Sequence, residues 1–363
     1  MTETTLDTGT PRGFHKLTIA SVRNPTDDSV ALSFEIPGAL RDTFQFIPGQ
    51  YLTLRDTVGG EDIRRTYSIC SAHDADHVEV GIKRVDGGRF SSHAMTLKAQ
   101  QELLVMPPMG QFQAQLGGKH SYLLIAAGSG ITPCLSIARS VLTSEPESDV
   151  TLIYGNRSAA TTMFRQDINT LKDVYLERFS VLHILSREGQ DVPLLNGRID
   201  GERIALLAER GLINPASSDG IYVCGPQTMT DDVSKSLRAM DVEEDKIHFE
   251  LFGTPETPQT KSATQDGSKN NVTVDIVIDG GRKQVPMDPA HETVLTAALA
   301  AGLDLPYSCS NGMCCTCRCR VVEGESTMDV NYSLQDWEVE AGFTLACQTR
   351  PTNDRLVLDF DAA

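Results

Sequence analysis

YLLIAAGSGITPCLSIARSVL, residues 122–142, decides how the middle of this chain folds. Its first six residues form an unbroken apolar run, as a strand buried on both faces requires. Gly128 and Gly130 break that strand, and the apolar residues beyond them recur at helical spacing. Thr132 is expected to cap the helix and Pro133 to take its first position. The two glycines allow a backbone to approach a pyrophosphate at a helix N-terminus, so the stretch predicts dinucleotide binding. Glycine turns join strands to helices in many folds, and the context must carry the reading.

Downstream, DVTLIYGNR (149–157), FSVLHILSRE (179–188) and GIYVCGPQTM (220–229) continue the alternation of strand with amphipathic helix, which means a parallel α/β sheet. Cys224, Gly225 and Pro226 end the last of these strands, at the carboxyl edge where ligands gather. Upstream, FHKLTIASVRN, SVALSFEIP, QYLTLRD, RRTYSICS, HVEVGIKRV and QELLVMPPMGQF are short strands broken by Pro, Gly and Asp, without a long helix between them. That texture predicts an antiparallel β-barrel or a sandwich. The expected domains are a barrel over 1–117 and an α/β domain over 118–253.

After residue 253 the composition changes. TPETPQTKSATQDGSKNN (254–271) has no apolar side chain larger than alanine, and reads as a linker. Beyond it, 272–363 opens with the alternating strand VTVDIVIDG, turns at GGRKQ and runs into the helical HETVLTAALAAGL, an order that suits a ferredoxin-like β-grasp domain. This segment holds CSNGMCCTCRC, residues 309–319, with five of the nine cysteines. Disulfides fit poorly, because nothing in the chain reads as a secretion signal or a membrane span. Zinc calls for paired C-x2-C units. The spacing Cys309-x4-Cys314-x2-Cys317, with Cys347 far downstream, is instead the plant-type pattern of a 2Fe-2S cluster. Cys315 and Cys319 are surplus and are read as structural.

A net charge of −17 makes nucleic acid an unsuitable partner. Residues 272–363 carry fourteen Asp or Glu against six Lys or Arg. An acidic face beside a redox group steers a basic docking patch on an electron acceptor. A cytoplasmic location and no membrane partner are expected.

RTYS (65–68), GGRFS (87–91), AGSGITP, CGPQTM and ELF (250–252), followed by the cysteine pattern, resemble the ferredoxin–NADP reductase superfamily with a fused C-terminal ferredoxin. More narrowly, SDVTLIYGNR, MFRQDINTLKD, GRIDGERI and NYSLQDWEVEAGFTLACQT resemble the reductase components that serve phenylacetyl-CoA 1,2-epoxidase. The resemblance implies FAD, a nicotinamide nucleotide and a terminal oxygenase as partner. It implies that Tyr67 stacks on the flavin, that Ser68 lies near the reactive ring nitrogen and that Arg65 pairs with phosphate. Gly88 and Ser91 match the loop that binds the FAD pyrophosphate, with Arg89 an added phosphate partner. Thr66, Lys83 and Gly87 stand within or next to these motifs and are assigned to cofactor binding with them. Ser129 and Cys224 match positions beside the nicotinamide, and Glu250 a carboxylate near hydride transfer. Phe252 matches a terminal aromatic of the reductase module, although the linker beyond it means that it need not cover the flavin.

These parts imply a converter that takes a hydride from NAD(P)H and releases single electrons. Arg157 ends the second strand of the sheet with no carboxylate beside it, and Ser186–Arg187 resembles the pair that holds the 2′-phosphate of NADP, so NADPH is expected. Glu188 argues the other way. A reductase for a Rieske-type dioxygenase or steroid hydroxylase, an iron–sulfur carrier without reductase activity, and a zinc-binding interaction module are the other readings.

Overall fold

The computed structural model describes residues 13–251, 272–289 and 292–362. The expected linker over 254–271, and Phe252, lie outside the described residues. The chain divides into two compact units. One comprises His15–Ile63 and Tyr67–Gly253, and the other comprises Thr254–Ala363 with Met1–Phe14 and Arg64–Thr66.

The chain first forms β1 (His15–Thr26), β2 (Ser29–Glu35), β3 (Tyr51–Val58), β4 (Glu61–Ser68), β5 (Val78–Lys83), α1 (Arg89–Ala94) and β6 (Glu102–Val105), all in the larger unit except Arg64–Thr66 of β4. The strands lie in the order β4-β3-β6-β1-β2-β5. An antiparallel bridge between Ile69 and Val80 joins the two ends of the sheet, so it closes into a barrel. Closure removes the two edges that would otherwise be open to pairing with another chain. Leu17 and Ile19, Leu32 and Phe34, Leu52 and Leu54, and Val80 and Ile82 fill the interior. Each pair is spaced by two, the period that turns strand residues to one face.

The chain continues as β7 (Ser121–Ala127), α2 (Ile131–Ser144), β8 (Asp149–Asn156), α3 (Arg165–Val174), β9 (Phe179–Leu185), α4 (Gly201–Glu209), β10 (Gly220–Gly225), α5 (Gln227–Ala239) and β11 (Ile247–Leu251). All five strands are parallel, in the order β11-β10-β7-β8-β9. The chain leaves β7 for β8 on one side and later returns to β10 on the other. The order therefore reverses between β7 and β10, where such sheets bind ligands.

The start of α2 corrects the capping expectation. A short 3-10 turn, Gly128–Gly130, begins the winding early, and Gly130 takes the cap position without a side chain to offer. Thr132 is the second helical residue, and its hydroxyl donates to the Ser129 carbonyl at 3.0 Å. Pro133 is third, where its missing N–H still removes no helical bond.

Barrel and sheet share a core. Ala31, Cys70 and Phe112 of the barrel segment are buried in one cluster with Leu135, Tyr154 and Tyr222. A Cβ on Gly81 would lie 2.6 Å from the Thr132 methyl and 2.8 Å from the Phe164 ring, so β5 meets the sheet half with no room for a side chain there.

The smaller unit comprises β12 (Val272–Ile278), β13 (Gly281–Met287), α6 (Val294–Ala300), β14 (Arg318–Glu323), β15 (Ser326–Met328), α7 (Asp336–Glu340), β16 (Phe343–Leu345), β17 (Thr349–Pro351) and β18 (Arg355–Asp359). The main sheet runs β13-β12-β18-β14-β16, with β12 and β18 parallel, and β15 pairs with β17. Val274, Ile276, Leu295, Ala298, Leu345 and Leu358 form its core. Thr293 caps α6 by accepting from the Thr296 N–H. The fold class is the expected one: antiparallel barrel, parallel α/β sheet and β-grasp.

Candidate cofactor sites

A cleft of about 900 Å³ opens at the carboxyl edge of the parallel sheet. Gly128 and Ser129 after β7, Gly225 and Pro226 after β10, and Arg157, Ser186 and Arg187 beyond β8 and β9 all line it. Gly128 has φ +57° with open space where a Cβ would stand, while a Cβ on Gly130 would meet the Cys224 carbonyl oxygen at 2.2 Å. The first glycine supplies a left-handed turn and the second a close approach of two strands' ends. Tyr154 is buried under the turn and donates its hydroxyl to the Gly128 carbonyl at 2.9 Å.

Three basic residues of the cleft are free to meet a ligand, while Lys83 pairs with Asp28 at 3.7 Å. Arg157, Arg187 and Arg198 are exposed and make no ion pair with a described residue. Glu188 does not oppose them, because its carboxylate turns back to accept the Ala159 N–H at 2.7 Å. Lys83 also lines the cleft, donating to the Thr161 carbonyl at 3.3 Å. Sequence reasoning missed Arg198, Asn156 and Thr228 on the walls. Arg198 follows Gly197, whose φ of +109° turns the loop, and only the basic residue after that glycine hinted at it. Asn156 is buried with an unpartnered side-chain nitrogen, a donor that suits a nucleotide oxygen.

The residues expected to bind the flavin lie along β4 and the loop before α1. Ser68 is buried, and its hydroxyl donates to the Glu250 carboxylate at 3.0 Å across 182 residues of sequence. Glu250 stands opposite Cys224 in the pairing of β10 with β11, so the structure brings Ser68, Cys224 and Glu250 together. Tyr67 is half-buried with its ring 5.7 Å from that of Phe90. Arg65 is exposed, with Nη1 on the Arg64 carbonyl at 2.7 Å, and Thr66 is half-buried. Gly87 turns at φ +73°, a Cβ on Gly88 would crowd the Ser91 hydroxyl at 2.5 Å, and that hydroxyl receives the Val85 N–H at 3.1 Å. Arg89 reaches Glu61 and the Val58 carbonyl. A tight glycine turn followed by Arg89 fits a pyrophosphate.

Burial raises the Glu250 carboxyl to about 8, against the lowering effect of the Ser68 hydrogen bond. The folded protein therefore holds a proton there that the unfolded chain has released. Between pH 4.5 and about 8 this costs stability progressively as pH rises. Glu250→Gln should gain stability over the unaltered protein through that window, with no further gain above it. Thermal unfolding at a series of pH values measures this, and a stability difference independent of pH would contradict it.

In the smaller unit the four expected ligands form two thiol pairs. Cys309 is lowered to about 6, first by a hydrogen bond from Cys314 and then, against burial, by the N–H groups of Asn311, Met313 and Cys314. Cys347 is lowered first by a hydrogen bond from Cys317, and Gly312 adds a backbone donor. The Asn311 N–H lies 3.4 Å from the Cys309 sulfur, and the Cys347 N–H 3.5 Å from that of Cys317. Two pairs of thiols ringed by N–H donors fit a two-iron cluster. Gly312 permits the loop at φ +73°. Cys315 faces Ser333, and Cys319 is buried in the core with its sulfur 3.9 Å from the Thr344 carbonyl. Neither joins a pair.

Three family models match the chain: an oxidoreductase FAD-binding domain over residues 16–114, an oxidoreductase NAD-binding domain over 124–235, and a 2Fe-2S iron-sulfur cluster binding domain over 276–352. The chain is 43% identical to one of the component proteins of 1,2-phenylacetyl-CoA epoxidase from Escherichia coli, over 96% of this chain and 98% of that protein. It is 33% identical to the ferredoxin reductase component of 3-ketosteroid-9-alpha-monooxygenase from Rhodococcus rhodochrous, over 95% and 96%. Among solved structures, phthalate dioxygenase reductase has the same fold, with a TM-score of 0.56 and 24% identity over 96% of this chain and 98% of the other.

Proposed function

Because the chain belongs to the ferredoxin–NADP reductase superfamily, among the FAD- and 2Fe-2S-carrying reductase components of oxygenases, we propose that it passes electrons from NADPH to a phenylacetyl-CoA epoxidase. The observation that carries the reading is identity of 43% along nearly the whole chain to a component of that enzyme. FAD, when bound, accepts a hydride and gives up electrons singly, and the cluster takes them one at a time.

The chain's own residues supply position and environment. Tyr67 offers an aromatic face to the flavin, and Arg65, Gly88, Arg89 and Ser91 hold its phosphates. Ser68 and Glu250 present a hydroxyl and a protonated carboxyl at the reacting edge, since a group raised to about 8 carries its proton at neutral pH. Gly128 and Gly130 let the backbone approach the nucleotide's pyrophosphate, and Ser129 stands beside the nicotinamide with the buried Cys224 behind. Cys309, Cys314, Cys317 and Cys347 hold the cluster, and the N–H groups around them stabilise its negative charge.

Arg157, Ser186 and Arg187 recognise the 2′-phosphate. A charge-assisted hydrogen bond contributes about 1.5–3 kcal/mol, so Arg187→Ala should lower kcat/KM for NADPH roughly 10- to 100-fold and leave NADH nearly unaffected. The decisive experiment is reconstitution: NADPH-driven turnover of phenylacetyl-CoA by the epoxidase's oxygenase component, with NADH in parallel. Better coupling to a steroid monooxygenase would move the partner to the second relative, and equal use of NADH would refute the nucleotide assignment.

A further inference from the structure

The strand that carries Ser68 and the helix that follows Ser129 are fastened together away from both cofactor positions. Arg139, on α2, donates from Nη1 to the Cys70 carbonyl at 2.6 Å. Ser136, one turn earlier, donates to the Ser71 carbonyl at 2.8 Å, and Ser140 receives the His73 N–H at 3.0 Å. Three successive points of one helix thus hold three points of the segment that begins two residues after Ser68.

A charged cluster surrounds this seam. Arg23 on β1 donates to both oxygens of Glu79 on β5, at 3.0 and 2.7 Å, and to Asp167 on α3 at 2.9 Å. Arg139 donates to the other oxygen of Asp167 and lies 3.6 Å from Glu79. Glu79 is 4% exposed and also accepts the Ser33 hydroxyl at 3.2 Å and the Cys70 thiol at 3.4 Å. Barrel and sheet halves each contribute one cation and one anion; each half pairs its own charges, and the Arg23–Asp167 and Arg139–Glu79 contacts cross the seam. A cleft of about 560 Å³ lies beside the cluster, lined by Arg23, Glu79 and Arg139 among others. Directed polar bonds therefore hold this part of the seam beside the shared core in which Cys70 is buried.

The geometry has a direct bearing on hydride transfer. Arg139 lies eight residues into the run from Ile131, about 12 Å along the helix from its start beside Ser129, and Cys70 is two residues from Ser68. We infer that Arg139 is a positioning residue for hydride transfer: its guanidinium, held by Glu79 and Asp167, grips the Cys70 carbonyl and so sets the separation of the Ser68 and Ser129 sides without touching either cofactor. The inference rests on the reading of those two sides as flavin and nicotinamide sites. Misplacement of reacting groups by about 1 Å costs on the order of 100-fold in rate.

Full-length holoenzyme carrying Arg139→Met or Arg139→Lys should keep its FAD, its iron and its flavin potential. On rapid mixing with NADPH, flavin reduction at saturating nucleotide should slow about 10- to 100-fold in Arg139→Met, with KM changed by less than about threefold. The deuterium isotope effect with 4-deuterated NADPH should rise, and Arg139→Lys should recover part of the rate. Should Arg139→Met fail to fold, Ser136→Ala with Ser140→Ala removes two of the fastenings without stranding a charge, and a severalfold loss is expected. Lowered thermal stability with an unchanged rate in these variants overturns the inference. An unaltered protein that binds FAD but does not reduce it with NADPH or NADH overturns the functional reading itself.

Discussion

Replacing any one of Cys309, Cys314, Cys317 or Cys347 by serine is expected to abolish the iron–sulfur cluster and leave FAD bound. The structure arranges these four thiols as two pairs, with backbone N–H groups directed at the sulfurs. Each iron of a 2Fe-2S cluster needs two thiolates, and a serine oxygen is a poor substitute for a soft sulfur ligand. Cys315→Ser and Cys319→Ser should keep the cluster, the first because its thiol faces Ser333 and the second because it is buried in the core. Iron content and the visible spectrum of the six variants decide the matter. A cluster lost in Cys315→Ser but kept in Cys314→Ser would reverse the assignment.

A chain ending at Gly253 should retain FAD and reduce ferricyanide with NADPH at close to the full-length rate, while oxygenase turnover falls to background. Among the described residues, the hydrophobic clusters of the barrel, of the parallel sheet and of the core they share contain none beyond 272. The Ser68–Glu250 hydrogen bond is contained in it as well. The acidic β-grasp unit with the four cysteines is what the truncated chain lacks. Absorbance at the flavin wavelengths and the two activity assays measure this. A fragment that emerged without flavin would show that the expected boundary at 253 cuts through the flavin site.

What was legible in the sequence was local. The apolar run before Gly128 predicts β7 because a strand covered on both faces has no reason to alternate, and Ser121–Ala127 is that strand. The cysteine spacing is a property of one loop and needs no tertiary knowledge. Helix starts were less legible: winding begins at Ile131 through a 3-10 turn, one residue before the threonine expected to cap it. The charged seam was invisible. Arg23 and Glu79 are 56 residues apart, and Arg23 and Asp167 are 144 apart. Each alone reads as a surface charge, and only the packing of β1, β5, α2 and α3 reveals a common partner. The same holds for Ser68 and Glu250: family likeness implied that each lies near hydride transfer, but only the structure shows their hydrogen bond.

The core that barrel and sheet share has a consequence for synthesis on the ribosome. Barrel closure through Ile69 and Val80 involves only the first third of the chain. Yet Cys70 and Phe112 on the outside of that barrel are buried by Leu135, Tyr154 and Tyr222. A nascent chain that has emerged only as far as the last barrel strand presents this greasy flank to water, and can bury it only after β10, the fourth strand of the sheet, has followed. Domains generally fold as units, the N-terminal one first. Here the earliest unit able to satisfy itself is more than twice the length of the barrel, and chaperones that bind exposed apolar surface have that interval in which to act.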